Sequence, residues 1–363
     1  MTFGPLRGLE QDAIASYGSK VGDLAIYRIL YASIVLLSEV PVASWLPLAP
    51  KAFFYPPLGP AALFTGTPPA SVLLGLNVLL VVFVAMLIVG WKTTLASVGT
   101  GLTLLILKAW AYSLGKIDHD VFMVIVPLLL AFSGWGRALS IDARHRPPPG
   151  NAPVAQLPLA LLALVVGFAM FTAGWAKITS GWLDPSMHAT YGHLAKNYFF
   201  TGRETFAGRL ALQVDSGWFW KAGDWSAVAL EMGFLFGAVH RRSFRVWMAF
   251  ATLFHLGVLL LFDIPFPTNP LTYAAFVGWT AVPAFRSVHF ERHASARSWW
   301  LAFMAAVALG SGATLRGQSI ANSLHLPFEE LLVWAGAAGG LWYLGWTLLK
   351  PRAYHGSERL LVE

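Results

Sequence analysis

Long apolar stretches, broken by short polar or proline-rich segments, recur along the whole chain. Runs of roughly 17 to 22 residues match the length of helix that crosses a hydrocarbon core of about 30 Å. They predict an all-α, polytopic transmembrane bundle of about ten spans, at 24–40, 71–91, 95–114, 120–135, 156–176, 224–240, 245–262, 269–285, 297–313 and 329–349. The weak ten-residue alternation of a membrane barrel is absent. Pro127 is expected to kink the fourth span. Gly233 with Gly237, and Gly336 with Gly340, are small-residue pairs at four-residue spacing that predict close helix contacts.

The pattern divides the chain into an N-terminal segment 1–23, a membrane core 24–285, two further spans within 286–349 and a tail 350–363. Two connections in the core are long. The first, 41–70, mixes eight prolines with Trp45, Phe53, Phe54 and Tyr55 and cannot be regular helix throughout. The second, 177–223, carries Trp182, Tyr191, Tyr198, Phe199, Phe200, Trp218 and Trp220 among His188, His193 and Lys196. Such a loop reads either as an interfacial anchor or as a lid over a pocket.

Composition supports a membrane protein, because 56% hydrophobic and 12% charged residues leave too little polar surface for a soluble domain of this length. The chain has no cysteine, which excludes disulfides, thiolate metal sites and thiol redox chemistry. The first 23 residues lack the short apolar core of a cleavable signal, so insertion is expected to rely on the first span. Lysine and arginine sort by side: with the N-terminus inside, fifteen fall on the cytoplasmic side and eight outside, with Arg28 and Lys108 within spans. That bias predicts N-in, C-in and an inner-membrane location. It also explains the net charge of +7 without nucleic acid; the bilayer is the expected partner. No internal repeat is visible, which weighs against a duplicated transporter fold.

Charged or titratable groups at membrane depth need a physical reason. Lys177 ends the fifth span; position alone reads it as a snorkelling lysine, whereas enclosure by Trp175 and Trp182 would fit it to act as a base. His119 stands between Asp118 and Asp120 at the mouth of the fourth span, where either carboxylate would orient its ring and Asp118 would equally serve as a helix cap. Glu231 lies too deep to snorkel and is either protonated or paired. His255 sits in the outward half of the seventh span, as a bonded core histidine or a site residue. Arg28 is expected to pair with a carboxylate or with helix-end carbonyls, and Lys108 to snorkel. The topology places Lys177, His119, His255 and Glu231 toward the outer leaflet, so they can share a site. No metal is expected.

An ordered set of pieces resembles the vitamin K-dependent γ-glutamyl carboxylases and their bacterial relatives, the horizontally transferred transmembrane (HTTM) domain proteins. The pieces are Asp118-His119, Leu139-Ser140-Ile141-Asp142-Ala143, Ala173-Gly174-Trp175-Ala176-Lys177-Ile178 with Trp182, and Phe254-His255. The resemblance implies Lys177 as the base toward a reduced vitamin K, a menaquinol-type quinol, and His119 as stabiliser of the activated oxyanion. His255, Glu231, Trp175, Trp182 and Asp118 are expected to line the substrate site. The family's reaction forms the quinone epoxide, removes a γ-proton from glutamate and adds CO2. The family's Asn-His stands here as Asp118-His119 and its paired lysines as Ala176-Lys177, and the chain is expected to be a short member without the lumenal domain. Two other classes remain: a non-enzymatic partner of a secreted peptide or membrane protein, acting through the outer aromatic loops, and a transporter.

Overall fold

The computed structural model describes residues 4–56, 59–115, 119–145, 153–286 and 295–349. Asp118 lies outside the described residues. Among those described the protein is helical, and its one β-type pairing is an isolated bridge between Ser19 and Val154.

In chain order the helices are α1 (Gly4–Ser16), α2 (Val21–Ile34), α3 (Ala70–Val89), α4 (Thr93–Tyr112), α5 (Val121–Leu130), α6 (Gln156–Thr179), α7 (Ala189–Phe200) and α8 (Phe206–Ala211). There follow α9 (Gly217–Gly237), α10 (Arg241–Phe262), α11 (Thr268–Tyr273), α12 (Ala296–Arg316), α13 (Ile320–Ser323) and α14 (Phe328–Leu349). Among the described residues seven helical stretches are long and apolar enough to cross a bilayer: Val21–Glu39, in which α2 continues through a wider π turn, then α3, α4, α6, α10, α12 and α14. They make a multi-pass membrane protein.

Four expected elements differ. The stretch 224–240 lies in α9, which starts earlier, ends at Gly237, carries Lys221, Asp224 and Glu231 and is not among the seven. The stretch 120–135 holds only the ten-residue α5, about 15 Å long and short of a full crossing. It contains Pro127 and gives way to turns after Leu130. The stretch 269–285 is not one helix: α11 is six residues long and is followed by single 3-10 turns at Ala274–Phe276, Trp279–Ala281 and Pro283–Phe285. Proline removes backbone donors and fixes φ, and Pro270 and Pro283 lie in this apolar run with Gly278 between them. Irregular backbone at such depth must find side-chain partners. Here Tyr27 Oη donates to Leu271 O, Arg241 and Arg245 donate to Phe276 O, Trp279 Nε1 donates to Ala274 O, and Asp23 accepts from Thr280 N and Oγ1. Finally, the second long connection is largely helical, formed by α7, α8 and the first two turns of α9.

Close approach between helices depends on small residues. A Cβ on Gly233 or Gly237 would fall 2.3 or 2.0 Å from the Trp247 ring, and one on Gly340 would fall 2.3 Å from Thr252 Oγ1. α9 therefore seats against α10, and α14 against α10, through their glycine faces.

The bundle has two distinct ends. The segments around Tyr55, Ser113, Trp182 and Phe266 gather at one, joined by Tyr55 N donating to Ser113 O and by the ring of His119 against Phe266. The segments around Lys92, Asp142, Val154 and Ala238 gather at the other, joined by Asp142 accepting from Lys92 N and by Tyr17 Oη donating to Ala238 O.

Candidate functional site

Lys177 is two residues from the end of α6 and faces α9. Its Nζ donates to both oxygens of Glu231, at 2.7 Å to Oε1 and 2.6 Å to Oε2. The approach is possible because Gly174, one turn back on α6, has no side chain: a Cβ there would lie 3.1 Å from Glu231 Cβ and 3.0 Å from Met232 Cγ. Both oxygens of a carboxylate on one ammonium make a charge-assisted pair, the strong form of hydrogen bond. The Glu231 side chain is 8% exposed and that of Lys177 23%, so the pair is sunk but not sealed. The Trp182 ring stands 5.3 Å from Nζ on the remaining side, within cation–π range.

Trp175 does not join this enclosure. It is 55% exposed, because two helical residues turn about 200° and carry it to the face opposite Lys177.

The segment bearing Trp182 is fastened to α9 by a second buried pair. Lys221 Nζ donates to Trp182 O at 3.1 Å and to Asp224 Oδ2 at 3.0 Å. Asp224 in turn accepts from Ala189 N, Thr190 N and Thr190 Oγ1, which holds the first turn of α7. One face of α9 therefore carries both the counter-charge of Lys177 and the clasp of the cover above it.

The two histidines meet around a third ring. The Phe266 centroid is 4.8 Å from that of His119, edge to face, and 5.3 Å from that of His255. His255 is buried; its Nε2 is 2.9 Å from Asn269 Nδ2, and its ring stacks over Tyr273 at 6.4 Å. Its Nδ1 has no hydrogen-bond partner among the described residues. Asp120, beside His119, spends Oδ2 on Lys108 Nζ (2.7 Å) and Oδ1 on Tyr112 Oη (2.7 Å). Lys108, expected to snorkel, is instead clamped between Asp120 and Glu39, 2.8 Å away.

The HTTM domain family matches residues 19–276, most of the chain, from the start of α2 to the end of the Ala274–Phe276 turn and including every site residue just described. The chain belongs to the HTTM family. No curated protein and no solved structure matches it.

Within this HTTM protein, the pieces singled out in the sequence divide by role. Leu139 to Ala143 is a structural clasp: Asp142 accepts from Lys92 N, Thr93 N and Thr93 Oγ1, and so caps α4, while Ser140 Oγ accepts from Ala143 N. Arg28, fully buried, donates to the carbonyls of Trp135, Ala138 and Leu139. A groove lined by Trp91, Lys92, Thr93 and Asp142 opens at this end, yet its carboxylate is already spent on α4. Phe266, Asn269 and Tyr273 were not singled out from the sequence. A sequence signal existed in the Pro265-Phe266-Pro267 triplet, which stiffens the turn that presents Phe266. Among the described residues no cluster of three metal-ligating side chains occurs.

Proposed function

We propose that this HTTM protein binds a quinol, or a similar lipid-soluble molecule with an ionisable hydroxyl, at the Lys177 end of the bundle and removes its proton there. The observation that carries the reading is the Lys177–Glu231 pair under Trp182. A lysine acts as a base only when neutral, and the one carboxylate in contact with Nζ supplies a place for its proton. Lys177 Nζ hands that proton to Glu231, 2.6 to 2.7 Å away, and the freed amine takes the next from a hydroxyl beside it. Glu231 thus becomes the proton's holder, and the ammonium that re-forms faces the oxygen it has deprotonated. His119 is the second donor toward that oxygen. The low water content of such a site strengthens both interactions.

Reduced vitamin K is the expected quinol, by resemblance to the γ-glutamyl carboxylases, in which the same opening step precedes epoxide formation and carboxylation. The site would face the exoplasmic side of the inner membrane. With purified, folded protein in nanodiscs, Lys177→Ala and His119→Ala are expected to lower menaquinol turnover at least about 10²-fold, the usual scale for a lost proton-transfer group. Wild-type turnover in both variants would overturn the reading.

A second reading, a non-enzymatic partner of a secreted peptide or membrane protein, draws on the aromatic collar of α7 to α9. Phe199, Phe200, Phe206 and Trp218 are all strongly exposed, Phe200 at 86%. It predicts that alanine at these four positions abolishes partner binding while Lys177→Ala does not.

A further inference from the structure

At the Asp142 end of the bundle two open grooves run together. One, of about 630 Å³, is lined by Trp91, Lys92, Leu95 and Ile141, and the other, of about 490 Å³, by Phe132, Trp135, Arg137 and Ala155; Thr93, Thr94 and Asp142 belong to both. Their charges do not balance. Asp142 is the carboxylate of the lining, and its oxygens are taken by Lys92 N, Thr93 N and Thr93 Oγ1. Lys92 Nζ and the Arg137 guanidinium have no carboxylate within 4 Å among the described residues. Arg28, bonded to the carbonyls of Trp135 and Ala138 behind the lining, is a third cation at this corner.

The backbone sets where the two free cations stand. Lys92 has φ 44°, in the left-handed region, at the start of α4, and Leu139 and Ala155 in the adjoining segments have φ 48° and 62°. Residues with a Cβ adopt this conformation at a cost, and it recurs where a chain is committed to presenting a particular group. Gly134, at φ 79°, makes room for Arg137: a Cβ there would lie 2.9 Å from Arg137 Cδ, so the arginine stem is laid across bare backbone.

The depth matches that of a lipid headgroup. The grooves open at the first turn of α4, one of the spans, where the Trp91 ring lies 5.7 Å from Lys92 Nζ and packs on Trp300 and Phe303 at 5.5 and 6.1 Å. Tryptophan favours the boundary between membrane and water. From there Leu95, Leu102 and Ile106, spaced by seven and four residues, run along one exposed face of α4, and Phe132 is exposed beside them. The corner thus has a cationic mouth above an apolar strip.

We propose that the joined grooves bind the headgroup of an anionic phospholipid, with Lys92 and Arg137 on its phosphate and the acyl chains along the Leu95, Leu102 and Ile106 face. A zwitterionic lipid brings its own cation and leaves the positive excess uncancelled, so the site selects for net negative charge. This site lies at the opposite end of the bundle from Lys177 and is independent of the reaction proposed there.

The test is native mass spectrometry of the full chain released from detergent micelles, with phosphatidylglycerol and phosphatidylcholine of identical acyl chains as probes. Wild type is expected to prefer the first phosphatidylglycerol by about 25-fold, about fivefold for each basic residue at a membrane surface. Lys92→Gln and Arg137→Gln should each lower that preference about fivefold, and the double variant should bind the two lipids alike. Neither side chain makes a hydrogen bond among the described residues, so these variants are expected to fold, and Arg137→Lys should keep the preference. Arg242→Gln removes an exposed cation at the same end but outside the grooves and should change nothing. Equal binding of both lipids by wild type would overturn the proposal. So would an equal loss in Arg242→Gln and Arg137→Gln, because the attraction would then be the diffuse field of a basic surface. Glycerol 3-phosphate, which has no acyl chain, should not displace the lipid at equimolar concentration; displacement would assign the site to a soluble phosphate and overturn the lipid.

Discussion

The two ends of the bundle use buried charge in opposite ways. At the Asp142 end the anchoring charges go largely to backbone: Arg28 to three carbonyls, Asp142 to two amide groups and a threonine hydroxyl, Asp23 to the amide and hydroxyl of Thr280, Arg245 to Phe276 O. At the Lys177 end charges meet other charges: Lys177 with Glu231, Lys108 with Glu39 and Asp120, Lys221 with Asp224. A backbone partner cannot change its charge, so the first arrangement fixes geometry. A side-chain partner can gain or lose a proton, so the second is able to respond to what enters. Position within the membrane costs both ends alike; only one retains the freedom that chemistry needs.

Substitutions can break this contrast. Arg28→Met leaves two buried carbonyls and one part-buried carbonyl without their donor and is expected to cost about 3 kcal/mol, at about 1 to 3 kcal/mol for each unsatisfied buried group. Thermal unfolding in detergent should show the largest loss here, with turnover per folded molecule unchanged. Glu231→Gln removes the counter-charge of Lys177. It is expected to cost about 2 kcal/mol of stability and at least about 10²-fold in menaquinol turnover. The double variant Lys177→Met/Glu231→Leu should recover the stability and none of the turnover, because an apolar pair of similar volume replaces a buried ion pair at little cost. Recovery of activity would erase the distinction between the ends.

Asp142→Ala is expected to cost about 1 kcal/mol, the value of a helix cap, with no change in turnover. A turnover defect in a well-folded Asp142→Ala protein would mean that the clasp reaches the far end. The smallest effect belongs to Trp182→Ala, about 0.5 to 1 kcal/mol from the cation–π contact with Lys177. Its defect should appear in substrate affinity rather than in folding.

Much of the fold was legible where a run was apolar and unbroken, as at 71–91 and 156–176, because length and hydropathy together determine a crossing. The run at 269–285 misled for the same reason. Hydropathy reports depth, whereas Pro270, Gly278 and Pro283 decide whether the backbone there is helical. Glycine pairs were readable as contacts, since Gly237 can only matter through what approaches it, here Trp247. Lys177, His119, Glu231 and His255 stood out because each is expensive at depth. Their pairing did not. Glu231 is 54 residues from Lys177 and Glu39 is 69 from Lys108, and no local pattern records such a meeting. Lys108 was therefore read as snorkelling. Phe266 was invisible for another reason: one more phenylalanine in an apolar chain announces nothing until two imidazoles are found in contact with its ring.

Asp224 and Glu231 are seven residues apart on α9, two helical turns and about 11 Å along nearly the same face. The first holds α7 and, through Lys221, the backbone of Trp182; the second holds Lys177. A stiff helix gives the two no independent play, so α9 is a push-rod. The backbone of Trp182 and the carboxylate that pairs with Lys177 are thereby held in fixed register along one rod.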